Sequence, residues 1–181
     1  ITRSVRVQNQ GKEDLRIEKI LSACLDMDNE NVSMLSLHGI WARERHIQTG
    51  ELHYGKQVIS SARGESSHQE HPFIALVTNG TEQENGKVYA MHFVYSGNFM
   101  AETELCQFDN LRMTMGINPE EFSWLLTPGE EFQAPEVVIV YSGNGLGAMT
   151  RSYHDFYRNH LIRSKFKYEK RPILINNWEA T

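Results

Sequence analysis

The sequence predicts a mainly β fold in three parts. These are an antiparallel sandwich over residues 1–143, a helix with a charged connector over 144–171, and one strand of a different kind over 172–181. Strand-like runs recur at about 8 to 14 residue intervals with turn residues between them, the spacing of an all-β sandwich. At Gly143 the pattern changes to helical spacing, with Met149, Tyr153, Phe156, Tyr157, His160 and Leu161 on one face of a segment free of proline. After Pro172, Ile173-Leu-Ile175 is apolar without alternation, as strands buried on both faces of a parallel sheet are.

Taken in order, Ile1, Val5 and Val7 alternate with polar residues, the turn Gln8 to Asp14 follows, and Leu15, Ile17, Leu21, Ala23 and Leu25 resume the alternation. This predicts an antiparallel hairpin. Val32, Met34 and Leu37 lead into a stretch crowded with Trp, Arg, His and hydroxyl residues from Leu37 to Phe73. Loops and strand ends hold such polar groups where a packed core cannot. Phe73 to Val77 reads as a core strand ending at Thr78-Asn-Gly80, and Asn85-Gly86 as a turn before Lys87 to Tyr95. Further strands are expected over Met100 to Gln107, Leu111 to Ile117 and Val137 to Tyr141, and the helix over Leu146 to Arg163.

With 181 residues the chain can bury a real core, and its net charge of -5 argues against a nucleic-acid partner, which would demand a dominant cationic face. Its two cysteines, Cys24 and Cys106, lie among apolar residues and read as buried thiols of a reduced, cytoplasmic protein. No apolar run is long enough to span a membrane, and no leader is visible. The chain opens on Ile1 inside a strand pattern, so a natural N-terminus can lie upstream.

Several local patterns invite chemistry and carry little of it. Asp26 to Asn31 has calcium-like spacing without the glycine and bidentate glutamate such a loop needs, and reads better as a solvated turn. His68 and His71 lack a third zinc ligand. Ser66-Ser67-His68 are neighbours in sequence, whereas a nucleophile and its base are assembled in space. Glu102 and Glu104 share one strand face and read as a solvated pair. Trp124, among apolar neighbours, reads as core.

Five runs carry a resemblance. They are Leu37-His-Gly-Ile-Trp-Ala-Arg-Glu-Arg45; Ser66-Ser-His-Gln69 with Pro72-Phe73; Tyr95-Ser-Gly-Asn-Phe99; Gly116-Ile-Asn-Pro119 through Phe122-Ser-Trp-Leu-Leu126; and Arg171-Pro-Ile-Leu-Ile-Asn-Asn-Trp-Glu-Ala-Thr181. Together they resemble the microbial α-galactosidases of glycoside hydrolase family 36, over essentially the whole chain. Two positions depart from the usual pattern: Ile40 stands where Ser is usual, and Glu70-His71 where His-Asn is frequent.

The resemblance implies an incomplete N-terminal β-supersandwich of the galactose-mutarotase type, a linker helix, and the truncated first strand of a (β/α)8 barrel that lies outside this chain. It implies retaining hydrolysis of terminal non-reducing α-D-galactosides of the melibiose and raffinose type, by two Asp residues of that barrel and without a cofactor or metal. No catalytic residue is then expected in this chain. Trp41 and Trp178 are the substrate-contacting candidates: an indole can stack on the C–H patch of a pyranose while its N–H bonds a hydroxyl. The expected partners are α-galactoside oligosaccharides, the chain's own barrel and copies of itself in a homotetramer. Trp41 would reach toward a neighbouring subunit's pocket, and Arg43, Arg45, Arg63 and His68 would support loops or interfaces. Outside that family, the residues admit a free-standing carbohydrate-binding sandwich. They admit more weakly an aldose-epimerase-like enzyme, for which no glutamate stands out as base.

Overall fold

The structure is a computed structural model that describes residues 1–177. Its strands among the described residues are β1 (Thr2–Arg3), β2 (Arg6–Gln8), β3 (Leu15–Ile17), β4 (Leu21–Asp28), β5 (Val32–Ile40), β6 (Arg43–Glu51) and β7 (Gly55–Ser60). They continue with β8 (Glu70–Thr78), β9 (Val88–Phe93), β10 (Phe99–Leu105), β11 (Asn110–Ile117), β12 (Trp124–Leu126), β13 (Glu131–Gln133) and β14 (Val137–Ser142). Helix α1 (Gly145–Phe156) follows, continued by a π-turn over Tyr157–Leu161 and a 3-10 turn over Lys165–Lys167.

The strands form an antiparallel six-stranded sheet in the order β1-β14-β9-β8-β5-β6 and a three-stranded sheet β10-β11-β4, with the short pairs β12-β3 and β13-β2 beside them. The mainly β, antiparallel fold expected from the sequence is the one observed. Between the two main sheets lies one core cluster, including Ile74, Leu76, Met91, Phe93, Phe99, Met113, Met115 and Val137. A second lies between the six-stranded sheet and α1, with Leu35, Phe73, Ala75, Val77, Ala90, Val138, Met149 and Tyr153. The unbroken run Phe73 to Val77 thus sends alternate side chains into two different cores, which is why β8 shows no apolar/polar alternation. Tyr153 fixes the helix to the sheet by donating its hydroxyl to the Val138 carbonyl at 3.1 Å.

The expected N-terminal hairpin does not form. Thr2 pairs with Val138, Val7 with Phe132, Ile17 with Trp124 and Leu25 with Met113, so each early strand finds a partner from the second half of the chain. Alternation fixes which face of a strand is buried, and it does not choose the neighbour. The intervening segment is instead pinned by the buried Asn9 side chain, whose amide donates to Glu13 O at 2.8 Å and Leu126 O at 2.9 Å.

Other expectations need correction. Cys24 is exposed and Cys106 half-buried, and both are free. With Ala23 and Leu25 turned inward, the even-numbered Cys24 must face out. Asp26 and Asp28 belong to β4 rather than to a loop. Asp26 accepts from Arg112 at 2.6 and 2.8 Å, so an arginine fork occupies the carboxylate that a calcium reading needs. Glu102 is 7% exposed and bonded to the Lys56 ammonium at 3.0 Å, whereas Glu104 lies 3.8 Å from the same ammonium. The pair is an ion-paired cluster, not a solvated one. Trp124 is 47% exposed, on the rim, with its ring against Phe132 at 5.0 Å.

Residues 171–177 adopt no regular structure, and Ile173, Leu174 and Ile175 are 94%, 91% and 82% exposed. A strand meant for burial on both faces needs neighbours on both sides, and none of the described strands takes that place. Trp178, Glu179 and the rest of the expected barrel strand lie outside the described residues.

Gly116 marks the register shift between β11 and β4, where an added Cβ would stand 2.6 Å from the Leu21 Cα and 2.8 Å from the Ser22 nitrogen. Both obstacles are backbone and cannot rotate away. Gly116→Ala is therefore expected to destabilise the chain by about 2 kcal/mol or more, read as a lowered denaturant midpoint at unchanged slope.

Candidate functional site

Strands β5 and β6 form an arm at the edge of the six-stranded sheet, and Trp41 and Ala42 make the turn at its tip. Trp41 is 82% exposed, so the reading of a core Trp fails and the reading of a presented Trp stands. The tip is held by two devices. Ala42 sits at φ 63°, and its N–H donates to Glu44 Oε1 at 2.9 Å. The backbone N–H of Glu44 itself, and after it that bond, hold the Glu44 carboxyl below its ordinary range. Below the tip, Gly39 packs so closely that an added Cβ would lie 2.1 Å from the Arg43 carbonyl oxygen. Arg45, like Ala42, is a non-glycine residue in the left-handed region, at φ 58°. Strain of this kind persists where surrounding structure over-determines it.

Close behind the tip a cleft of about 770 Å³ opens between the start of β6, the loop after β7 and the segment after β9. Arg45, Ser66, Ser67, His68, Tyr95 and Ser96 line its walls, and His71 and His92 its inner end. The loops are tied down by backbone bonds from Gly39 N to Gln69 O at 3.1 Å and from Ser66 N to Ser96 O at 2.8 Å. Arg45 and His68, expected to serve as scaffolding, are therefore brought together at one cleft. Arg43 and Arg63 are exposed and do not line it.

His71 and His92 stack at 5.4 Å between ring centres, and His92 Nδ1 hydrogen-bonds the Tyr157 hydroxyl. Burial, then the neighbouring His71 and Arg45, push His92 down to about 4, and burial with Arg45 lowers His71 as well. Burial raises Tyr157 and, more strongly, Tyr153. This cluster escaped the sequence reading, although a signal existed. His92 shares the parity of Val88 and Ala90, and His71 that of Phe73 and Ala75, so all point to the helix side of the sheet. On the opposite side, Glu70 lies in register with His38, and burial raises its carboxyl while His38 lowers it. Among the described residues no group of three or more His, Cys, Asp or Glu could hold a metal ion. No helix among them is long and apolar enough to cross a membrane.

The Glycosyl hydrolase family 36 N-terminal domain matches residues 1–127, and Melibiase matches residues 131–181. The chain belongs to glycoside hydrolase family 36. It is 51% identical over its full length to α-galactosidase AgaA of Geobacillus stearothermophilus, of which it covers 25%. It is 44% identical over its full length to α-galactosidase Mel36A of Lactobacillus acidophilus, again covering 25%. Among solved structures, the AgaA enzyme in complex with stachyose superposes with a TM-score of 0.95 at 50% identity, over 98% of this chain and 25% of that one. The α-galactosidase of Lactobacillus brevis gives a TM-score of 0.94 at 40% identity, over 98% and 24%. This family 36 chain thus spans about a quarter of the length of the relatives it matches.

The His92 shift implies a pH dependence of definite sign. The imidazole's folded pKa lies below its unfolded value near 6.5, so the unfolded chain takes the proton first. The contribution is fully present above about pH 6.5 and is lost as pH falls toward 4, up to about 3 kcal/mol in all. Urea midpoints compared between pH 7 and pH 4.5 should fall less in His92→Phe than in the unsubstituted chain. Equal falls would show that the ring protonates as freely folded as unfolded.

Proposed function

We propose that this chain is the N-terminal domain portion of a retaining α-galactosidase that acts on terminal non-reducing α-D-galactosides of the melibiose and raffinose type. The single observation that carries this reading is the clamped arm presenting Trp41 outside the core, in a chain whose relatives are α-galactosidases at 51% and 44% identity. Relatives crystallised with stachyose and with raffinose support the substrate class.

In this reading the chain performs no bond cleavage. Retaining hydrolysis uses two carboxyl groups about 5 Å apart, one forming a glycosyl-enzyme and the other acting as acid and then base. Both belong to a catalytic barrel beyond this chain. The domain's work is to complete the pocket. Trp41 meets the sugar of a neighbouring subunit in a homotetramer, where its indole covers C–H surface and excludes water. Pro172 to Ile175 opens the first barrel strand, with Trp178 at its C-terminal end, where barrel active sites are built. The exposed Ile173, Leu174 and Ile175 supply the apolar surface such a strand buries. The assembled enzyme works in the cytoplasm.

A free-standing sugar-binding sandwich would also present an aromatic residue on a loop, and galactose or raffinose titrated into the 181-residue chain separates the two readings. Millimolar or tighter binding favours the binding module, and no binding favours a pocket completed elsewhere. In the full-length protein, Trp41→Ala is expected to lower kcat/KM for raffinose by about tenfold or more, a loss of about 1.4 kcal/mol of transition-state binding, without lowering the melting temperature. The 181-residue chain alone should leave a chromogenic α-galactoside uncleaved; turnover comparable to the full-length protein would refute the proposed division of labour.

A further inference from the structure

Trp41 accounts for the tip of the arm and leaves the cleft just behind it without a role. We infer that the cleft lined by Arg45, Ser66, Ser67, His68 and Tyr95 is a saccharide subsite. It would hold the units of an oligosaccharide beyond the scissile galactoside, so that the domain selects for chain length. The inference rests on the α-galactosidase reading and extends it to a second contact surface.

The charge of the cleft favours an uncharged ligand. Arg45 and Glu44 offset one another, and burial keeps His71 and His92 neutral at pH 7. A phosphate or carboxylate ligand would meet the Glu44 carboxylate along with the guanidinium. A polyhydroxylated ligand can use every group present: guanidinium and imidazole N–H groups donate to its oxygens, while serine and tyrosine hydroxyls both donate and accept.

The groups are also available. Among the described residues no carboxylate or carbonyl accepts a hydrogen bond from the Arg45 guanidinium, which leaves its planar fork of donors free. His68 is exposed at the mouth, and the Tyr95 ring is 38% exposed. At about 770 Å³ the cleft lies within the ordinary range of small-ligand sites.

Finally, the walls are fixed before any ligand arrives. Gly64 N donates to Asn98 Oδ1 at 2.6 Å, Gln69 N to Ser67 Oγ at 3.1 Å and Ser66 N to Ser96 O at 2.8 Å, tying the two loops to each other and to themselves. Arg45 is set by its left-handed backbone at the end of the arm. A site held this way loses little entropy on binding, which is how a shallow polar cleft gains useful affinity.

The test is steady-state kinetics of the full-length protein with stachyose and with para-nitrophenyl α-galactoside, in the unsubstituted form and as Arg45→Gln and His68→Ala. The inference expects KM for stachyose to rise about tenfold in Arg45→Gln and severalfold in His68→Ala, with the aryl galactoside constants within about twofold. Unequal response of the two substrates is a readout that a loosened arm alone would not produce. Equal changes on both substrates, or none on stachyose, overturn it. Should Arg45→Gln fail to fold, His68→Ala decides by the same comparison. If the unsubstituted protein hydrolyses neither substrate, the α-galactosidase reading itself fails and takes this inference with it. That outcome is distinct from retained activity with an unchanged substrate ratio, which sinks the subsite alone.

Discussion

Burial of β8 on both faces is the constraint from which the rest of the structure follows. Ile74 and Leu76 are sealed against the three-stranded sheet, while Phe73, Ala75 and Val77 are sealed against α1 and its neighbours. Each of the larger side chains contributes on the order of 2 kcal/mol by leaving water, and none can shift without opening one core or the other. The strand is therefore a fixed rail. Its N-terminal end delivers Glu70, His71 and the preceding loop to one place, and β9 beside it delivers His92 and Tyr95. The cleft is rigid because its floor is the end of a strand that cannot move.

The arm beside this rail obeys a different logic. Every residue of β6 is exposed, and β6 pairs on one side only, with β5. Such an edge strand with an indole at its tip gains little from burial and presents unpaired backbone groups to solvent. Its order comes from local devices instead. The Ala42–Glu44 clamp, the close passage of Gly39 against Arg43, and two left-handed non-glycine residues define the tip without a core beneath it. Arg45, at the bulged end of β6, also breaks the regular edge that would otherwise template further strand pairing. One residue thus serves two ends: it blunts an edge, and it lines a cleft.

What the sequence made legible was which way side chains face. Alternation located the strands near their observed bounds, the apolar run Phe73 to Val77 marked a core strand, and the helical spacing after Gly143 found α1. Partners were not legible. The chain pairs residue 2 with 138 and 17 with 124, and nothing local in Ile1 to Leu25 encodes strands more than a hundred residues away. Ion pairs failed for a related reason. Glu102 looked solvated until Lys56 of β7 came alongside, and Asp26 looked like part of a solvated turn until Arg112 faced it across the sheet. The exposure of Cys24 was recoverable, because the same parity that buried Ala23 turned it outward. Of the site, Trp41 was visible as a loop aromatic, whereas the contact of His71 with His92 required two strands to be placed side by side.

The two outer faces of the sandwich are finished differently. The outer face of the three-stranded sheet is closed by charge pairing, with Asp26 on Arg112 and Lys56 between Glu102 and Glu104. Those groups are already satisfied and offer an approaching surface little. On the other side, α1 covers β14, β9 and β8 but leaves β5 and β6 partly open. Ile47 is 63% exposed there beside the half-buried Leu37. Ile40 and Trp41, at the tip of the arm, are 57% and 82% exposed. Apolar area kept in water is unfavourable unless something covers it, and scattered single residues would need no account. Here they share one strand pair with the clamp, the cleft and the strained backbone. The physical cost of holding apolar side chains out of the core is therefore concentrated along β5 and β6, whereas the ion-paired sheet has already satisfied its outward groups.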